Sequence, residues 1–397
     1  MKRAIALVLF SSTAHAGGFA VTQQTAASAG TGGAGVARDD DPGAAWHDPA
    51  ALADGKGLRI GVSLIFARPS IEARALDGSW SQDTEATWAT PPHLDVSYAQ
   101  GRWAAGISLG IPFGSGVTWP TEWAGRHEIV ASDLKVLRAA PFVAMRFGKL
   151  RISVGAHADF GRLQLRRDLD FIDMEGDVAI DMDGRAFGFD ASAYYQPRPD
   201  LAFAAMFRSG STLTLDGGAN FTAPDAFAAK IPDQAATSAI ALPAQLSIGA
   251  RYTPGNQGRN RYTVLSDVEW TRWSTNRTLV VDFAEMGTPD VVQQQQWRNT
   301  LSARIGGEYA WQRLTLRHGT YVEQSPATAE QLAPSSPDAN RLGLVAGASW
   351  KVNRSLRIDG FVEQMFLLRR ESESTEALPA SYGGRATLAG IGLAWMP

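Results

Sequence analysis

No cysteine occurs among the 397 residues. That excludes disulfides, thiol catalysis and cysteine-ligated zinc. Beyond its first residues the chain has no apolar run long enough for a transmembrane helix. Neither charge dominates: 37 Lys+Arg stand against 40 Asp+Glu, for a net charge of −3. This balance gives no basis for a nucleic-acid partner. Histidine is scarce, and His47, His93, His127, His157 and His318 form no H-E-x-x-H or other close metal pair, so no metal site is expected. Charged residues amount to 19% against 45% hydrophobic ones, which excludes a disordered chain. Glycine is plentiful, at 40 residues. That exceeds the usual ~7% and suits turns or closely packed strands.

The start reads as an export signal. Lys2 and Arg3 precede the apolar stretch Ala4 to Phe10, and Ala14-His15-Ala16 fits a small-x-small cleavage site. Residues 1–16 are therefore expected to be a signal peptide cut before Gly17. An exported chain without a membrane helix can still cross a bilayer as a closed β-barrel.

Alternation dominates from about Leu58 onward. Leu58, Ile60, Val62, Leu64 and Phe66 share one face, with Arg59, Gly61 and Ser63 on the other. The same two-residue period recurs in Trp103 to Ile111, Leu246 to Tyr252, Trp297 to Tyr309 and Leu342 to Trp350. One face is apolar and the other small or polar. Trp103, Tyr252, Tyr309, Trp350 and Trp395 sit at segment ends. Aliphatics toward lipid, aromatics at the interfaces and polar groups in a lumen make a transmembrane barrel. Short connections at 99–102, 148–149, 197–200, 254–260, 310–313 and 351–354 alternate with longer ones near 73–91, 112–133, 171–176, 217–239, 284–290, 325–339 and 370–382. These six turns and seven loops predict fourteen antiparallel strands, with turns periplasmic and loops external.

Residues 17–56 do not alternate and are too small and polar for a membrane strand. They are expected to fold inside the lumen as a plug, with 57–397 forming the barrel. Gly30-Thr31-Gly32-Gly33-Ala34-Gly35 fits G-x-G-x-x-G but lacks the flanking strand and helix of a dinucleotide site. Gly106-Ile107-Ser108-Leu109-Gly110 fits G-x-S-x-G, yet it lies inside an alternating strand rather than at a strand-to-helix elbow. Its glycines, with Pro112, predict a kink in the third strand. Asp39-Asp40-Asp41 is a charge run that solvent or a cation could satisfy.

Several motifs resemble the FadL/TodX family of outer-membrane transporters of long-chain fatty acids and other hydrophobic compounds. Gly18-Phe19-Ala20, Gly32-Gly33-Ala34, Asp39-Asp40 and Ala44-Ala45-Trp46-His47-Asp48-Pro49-Ala50-Ala51-Leu52 are similar to its N-terminal hatch. Pro112-Phe113-Gly114, Trp123-Ala124-Gly125-Arg126, Asp267-Val268-Glu269-Trp270, Trp297-Arg298-Asn299-Thr300 and Leu316-Arg317-His318-Gly319 extend the resemblance along the chain. It implies a fourteen-stranded barrel plugged by a hatch, and a side opening at the kink. The family's Asn-Pro-Ala hatch motif is here Asp48-Pro49-Ala50, and Trp395 takes the place of a terminal aromatic.

These readings converge on a passive transporter of hydrophobic molecules, fatty-acid-like, in the bacterial outer membrane. The expected capture groove is loop 112–133 with Phe113, Trp119 and Trp123. Arg166 and Arg317 are the candidates for a carboxylate headgroup, since a guanidinium binds one bidentately. Gly106, Ser108, Gly110 and Pro112 mark the lateral kink. No cofactor, metal or nucleic acid is called for, and the expected partners are the substrate, membrane lipid and lipopolysaccharide around a monomer. The alternatives are an outer-membrane lipid hydrolase using Ser108 and an open diffusion porin.

Overall fold

In a computed structural model the alternating segments form one antiparallel sheet that closes on itself. Described are residues 17–397 apart from 172–173, 256–259, 286 and 375–377; the expected leader 1–16 lies outside them. Among the described residues the wall has fourteen strands. The first six are β1 (Gly57–Ala75), β2 (Pro92–Gln100), β3 (Trp103–Thr118), β4 (Ala131–Phe147), β5 (Leu150–Asp170) and β6 (Glu175–Arg198). The next four are each interrupted: β7 (Leu201–Arg208, Ser211–Thr222), β8 (Gln234–Leu242, Gln245–Tyr252), β9 (Asn260–Thr271, Thr278–Phe283) and β10 (Val291–Gln294, Thr300–Trp311). β11 (Leu314–Glu323), β12 (Arg341–Lys351), β13 (Leu356–Glu371) and β14 (Ala380–Trp395) complete the circuit. Pairing of β1 with β14, from Ile60↔Trp395 to Ala75↔Ala380, shuts the barrel. Closure pairs the first strand with the last, so backbone groups around the circuit find partners without water.

The two-residue period settles which face is which. On β1, Leu64 and Phe66 face outward while Ile65 and Ala67 are buried. Outward apolar residues such as Val154, Phe187, Ile248 and Ile305 make a lipid-facing band. At the short-turn end, Tyr98, Trp103, Phe147, Tyr195, Tyr252, Tyr309, Trp311, Trp350 and Trp395 are all exposed and form a girdle. Several loops are shorter than the sequence suggested. β3 continues to Thr118 and β4 begins at Ala131, and β7 runs to Thr222. The interruptions were not foreseen. Pro243 cannot donate to a ladder, and a 3-10 turn over Trp273–Thr275 diverts β9.

Residues 18–56 lie within the circuit and are almost entirely buried. They form two single-turn helices, α1 (Ala26–Ala29) and α2 (Ala44–His47), and a 3-10 segment over Pro49–Asp54. Inward side chains hold them. Asp267 accepts from the amides of Gly35 (2.7 Å) and Val36 (3.0 Å), and Ser63 accepts from Ala26 N at 3.1 Å. Wall glycines let the two surfaces approach: a Cβ on Gly306 or Gly319 would come within 2.3 Å of the Thr31 backbone.

Candidate functional site

The loop half of the lumen contains a cavity of about 380 Å³. One flank is aliphatic, with Leu134 on β4, Leu163 and Leu165 on β5, Val178 and Ile180 on β6, Ile240 on β8 and Val281 on β9, while Asn276, Gln293, Gln294 and Gln295 make another part of the lining polar. Phe19 and Trp297 also line it. These two belong to an aromatic cluster that the interruptions bring inward. Phe19 meets Trp273 edge-on at 4.7 Å, Phe113 at 5.7 Å and Trp297 at 5.7 Å. Sequence reasoning missed Trp273 and Trp297 as site residues, because nothing in the alternation marks where a strand leaves the wall.

Of the expected groove residues, Phe113, Trp119 and Trp123 do not border this cavity. Phe113 is fully buried beneath Phe19, with the Arg138 guanidinium 5.6 Å from its ring centroid. Trp119 and Trp123 stack at 4.5 Å and are 1% and 2% exposed. Trp119 Nε1 donates to Pro334 O at 3.1 Å, and Trp123 Nε1 to Ile129 O at 2.8 Å. Loop 119–130 thus packs on itself and on the 324–340 connection; Glu128 and Ile129 are its cavity-lining residues.

The two arginine candidates lie far apart in the architecture. Arg166 borders the cavity, but alternation turns it to the outer face with Gln164, and it is exposed. Its neighbour Arg167 shares the inward face of Leu163 and Leu165 and also borders the cavity. Among the described residues no carboxylate pairs with Arg167. Arg317 is in the other half of the lumen. It is buried, pairs with Glu308 and with Asp359 at 3.2 Å, and donates to Ser349.

At the kink the third strand loses its neighbour. β2–β3 pairing ends at Leu94↔Leu109, and a bulge separates Gly110 from Phe113 against β4. Beyond that point the N-terminal segment takes the vacant edge. Ala20 bridges Phe113, Val21 N donates to Pro112 O at 2.8 Å, and Gly114 N donates to Phe19 O at 2.8 Å. Gln24 Nε2 donates to Ile111 O at 2.8 Å. Gly110 faces His93 and Gln24, while Gly106 lies lower, still paired with Ser97 and Phe142. Ser108 is fully buried and donates to Asp95, which also pairs with His93 Nε2 at 2.9 Å. The hydroxyl therefore has a carboxylate for its acceptor and no imidazole base, so the arrangement does not activate a nucleophile.

Asp48 caps the 3-10 segment. It accepts from Ala50 N at 3.0 Å and from the Ser192 hydroxyl, while its second oxygen is buried without a partner among the described residues. Burial pushes its carboxyl up to about 7. The acidic run is spent on arginines: Asp39 pairs with Arg251, Asp40 lies 3.7 Å from both Arg38 and Arg261, and Asp41 pairs with Arg357. Among the described residues no cluster has the make-up of a metal site.

Comparison with known proteins agrees with this architecture. A Pseudomonas aeruginosa FadL homologue superposes with a TM-score of 0.83 at 18% identity, covering 96% of this chain and 99% of that one. The Ralstonia pickettii toluene transporter TbuX gives 0.71 at 20% identity, over 94% and 98%. The Pseudomonas putida toluene transporter TodX gives 0.75 at 16% identity, over 96% and 99%. No curated protein sequence matches the chain. The model of the outer membrane protein transport family (OMPP1/FadL/TodX) matches residues 7–394, so this chain belongs to that family and is a β-barrel of the bacterial outer membrane, a transporter rather than an enzyme.

Proposed function

We propose that the protein admits hydrophobic molecules with an anionic head, long-chain fatty acids or their like, from the loop side and releases them sideways into the membrane. The observation that carries this reading is a cavity with an aliphatic flank and, at its border, an inward Arg167 that pairs with no carboxylate among the described residues. A cavity of that size is within the range of small-molecule sites. Burying methylenes contributes ~0.8 kcal/mol each, so about ten outweigh the ~1.5–3 kcal/mol of one charged hydrogen bond. The aliphatic flank would then supply affinity and Arg167 head-group preference. Residues 17–56 act as the hatch, which argues against an open porin. The sideways route would begin where the Phe19-to-Val21 segment covers the vacant edge of β3. Outward Arg166 suits a lipopolysaccharide phosphate, and a closed wall can stand as a monomer.

The relatives TodX and TbuX are described as toluene transporters, which makes small neutral aromatics the competing cargo. Uptake by cells that make this protein and lack other such transporters decides between them. Radiolabelled long-chain fatty acid should enter faster than in cells without the protein. Faster entry of toluene alone would reject the anionic head, and no gain for either would reject hydrophobic uptake by this chain.

A further inference from the structure

The short-turn end of the lumen holds a second cavity, of about 700 Å³, that shares no lining residue with the first. Arg261, Arg313, Arg317, Lys351, Arg354 and Arg357 all border it, against Asp40 and Glu308 as the bordering carboxylates. Alternation explains why these cations face inward. Arg313 shares a face with Thr315 and the buried Arg317, and Lys351 shares one with the buried Ser349. Arg261 likewise shares a face with buried Thr263.

The cations fall into two tiers. Deep in the lumen, Arg317 and Arg357 are neutralised by Glu308, Asp359 and Asp41. At the rim, Arg261 has a loose approach of 3.7 Å to Asp40. The side chains of Arg313, Lys351 and Arg354 have no hydrogen bond or ion pair among the described residues. A recess lined by one sign of charge, with low-dielectric walls, concentrates counter-ions. Guanidinium forks suit planar or tetrahedral oxyanions in particular.

We propose that this vestibule is an oxyanion site, taking a phosphate or phosphate-like group between the rim cations and the underside of the hatch. The group could be a free anion or the head of an anionic phospholipid of the inner leaflet, and the two are separable. The full-length protein is placed in phosphatidylcholine nanodiscs, and binding of inorganic phosphate is titrated calorimetrically. In a second arm, nanodiscs containing phosphatidylglycerol are used and the lipids retained on the protein are counted by native mass spectrometry. The triple variant Arg313→Gln, Lys351→Gln, Arg354→Gln is compared with Arg198→Gln, which removes a cation of another short turn that pairs with Asp200.

Saturable phosphate binding, weakened at least about tenfold in the triple variant and unchanged in the control, establishes a free-anion site. Retention of phosphatidylglycerol that the triple variant loses, without phosphate binding, establishes the same site with a lipid head as its occupant. The proposal is overturned if wild type and triple variant behave alike in both arms, or if the control loses as much as the triple variant.

Discussion

Arg167 and Arg166 are adjacent in sequence and opposite in role, because a strand turns successive side chains to opposite faces. The inward one borders the cavity and the outward one faces the surroundings. Arg167→Gln should therefore weaken binding of a long-chain carboxylate by roughly 10- to 100-fold, the worth of one charged hydrogen bond. Binding of a neutral analogue of the same chain length should not change. Equal loss for both, measured by tryptophan fluorescence titration, would leave Arg167 a packing residue. Asp48 gives a second residue-scale test. Its folded pKa of about 7 lies above the ordinary carboxylate value, so the folded state holds a proton that the unfolded chain releases earlier. Its contribution is full below about pH 4 and is lost as pH rises through about 7. Thermal stability should fall between about pH 4 and 7 more steeply in wild type than in Asp48→Asn, whose amide needs no proton. Parallel curves would mean that Asp48 is not the titrating group. Chemistry at this scale was only partly legible in the sequence. Arginine beside an aliphatic strand was visible, but choosing between neighbours needed the strand's phase. Trp119 and Trp123 carried the right composition for a groove, yet their indole N–H groups find carbonyls within the loops and draw the rings into the core.

At the scale of elements, the third strand and the N-terminal segment behave as one unit. Pro112 has no N–H to offer β4, and its carbonyl instead accepts from Val21. The absence of cysteine makes this junction easy to lock. Antiparallel bridge partners lie about 4.5–5.5 Å apart at Cα, within the span of a disulfide. Ala20→Cys with Phe113→Cys should form one on oxidation. Uptake of a hydrophobic substrate should then stop, and reduction should restore it. Uptake that ignores the redox state would mean that cargo does not pass this edge. A bulky side chain at Gly106 would not test this route, since even a Cβ there would lie 2.4 Å from Val96 O and disturb the wall below the kink. Most of the wall was readable from its period of two, because lipid outside and a polar lumen inside impose alternation on every strand. The interruptions in β7 to β10 were not readable. Those in β9 and β10 carry Trp273 and Trp297 inward to Phe19, hundreds of residues away in sequence, and a local pattern does not carry such pairings.

At the scale of the whole molecule, the N-terminal segment borders both cavities, through Phe19 on one side and Asp40 on the other, and is held differently at each. Toward the loops it is anchored by backbone pairing with β3 and by the aromatic packing of Phe19. Toward the short turns it is anchored by charge: Arg38 with Glu308 at 2.8 Å, Asp39 with Arg251 and Asp41 with Arg357. A cargo that leaves sideways at the kink uses only the first cavity. The charged anchors would then keep ions out without taking part in transport. Removing one partner of a buried pair leaves the other uncompensated and is strongly destabilising locally. Asp39→Asn combined with Asp41→Asn strands Arg251 in this way and leaves Arg357 with Asp359 but without its tie to the N-terminal segment, while the strand ladders of the wall stay untouched. Ion conductance in a planar bilayer should rise by at least about tenfold, since each tenfold change needs only ~1.4 kcal/mol of bias toward an open hatch. The increase should persist at high salt, because screening acts weakly on buried pairs. Uptake of the hydrophobic substrate should stay within about twofold of wild type, a difference below ~0.5 kcal/mol. If uptake falls as conductance rises, the lower half of the hatch takes part in passage, and the sideways route from the first cavity is not the whole path.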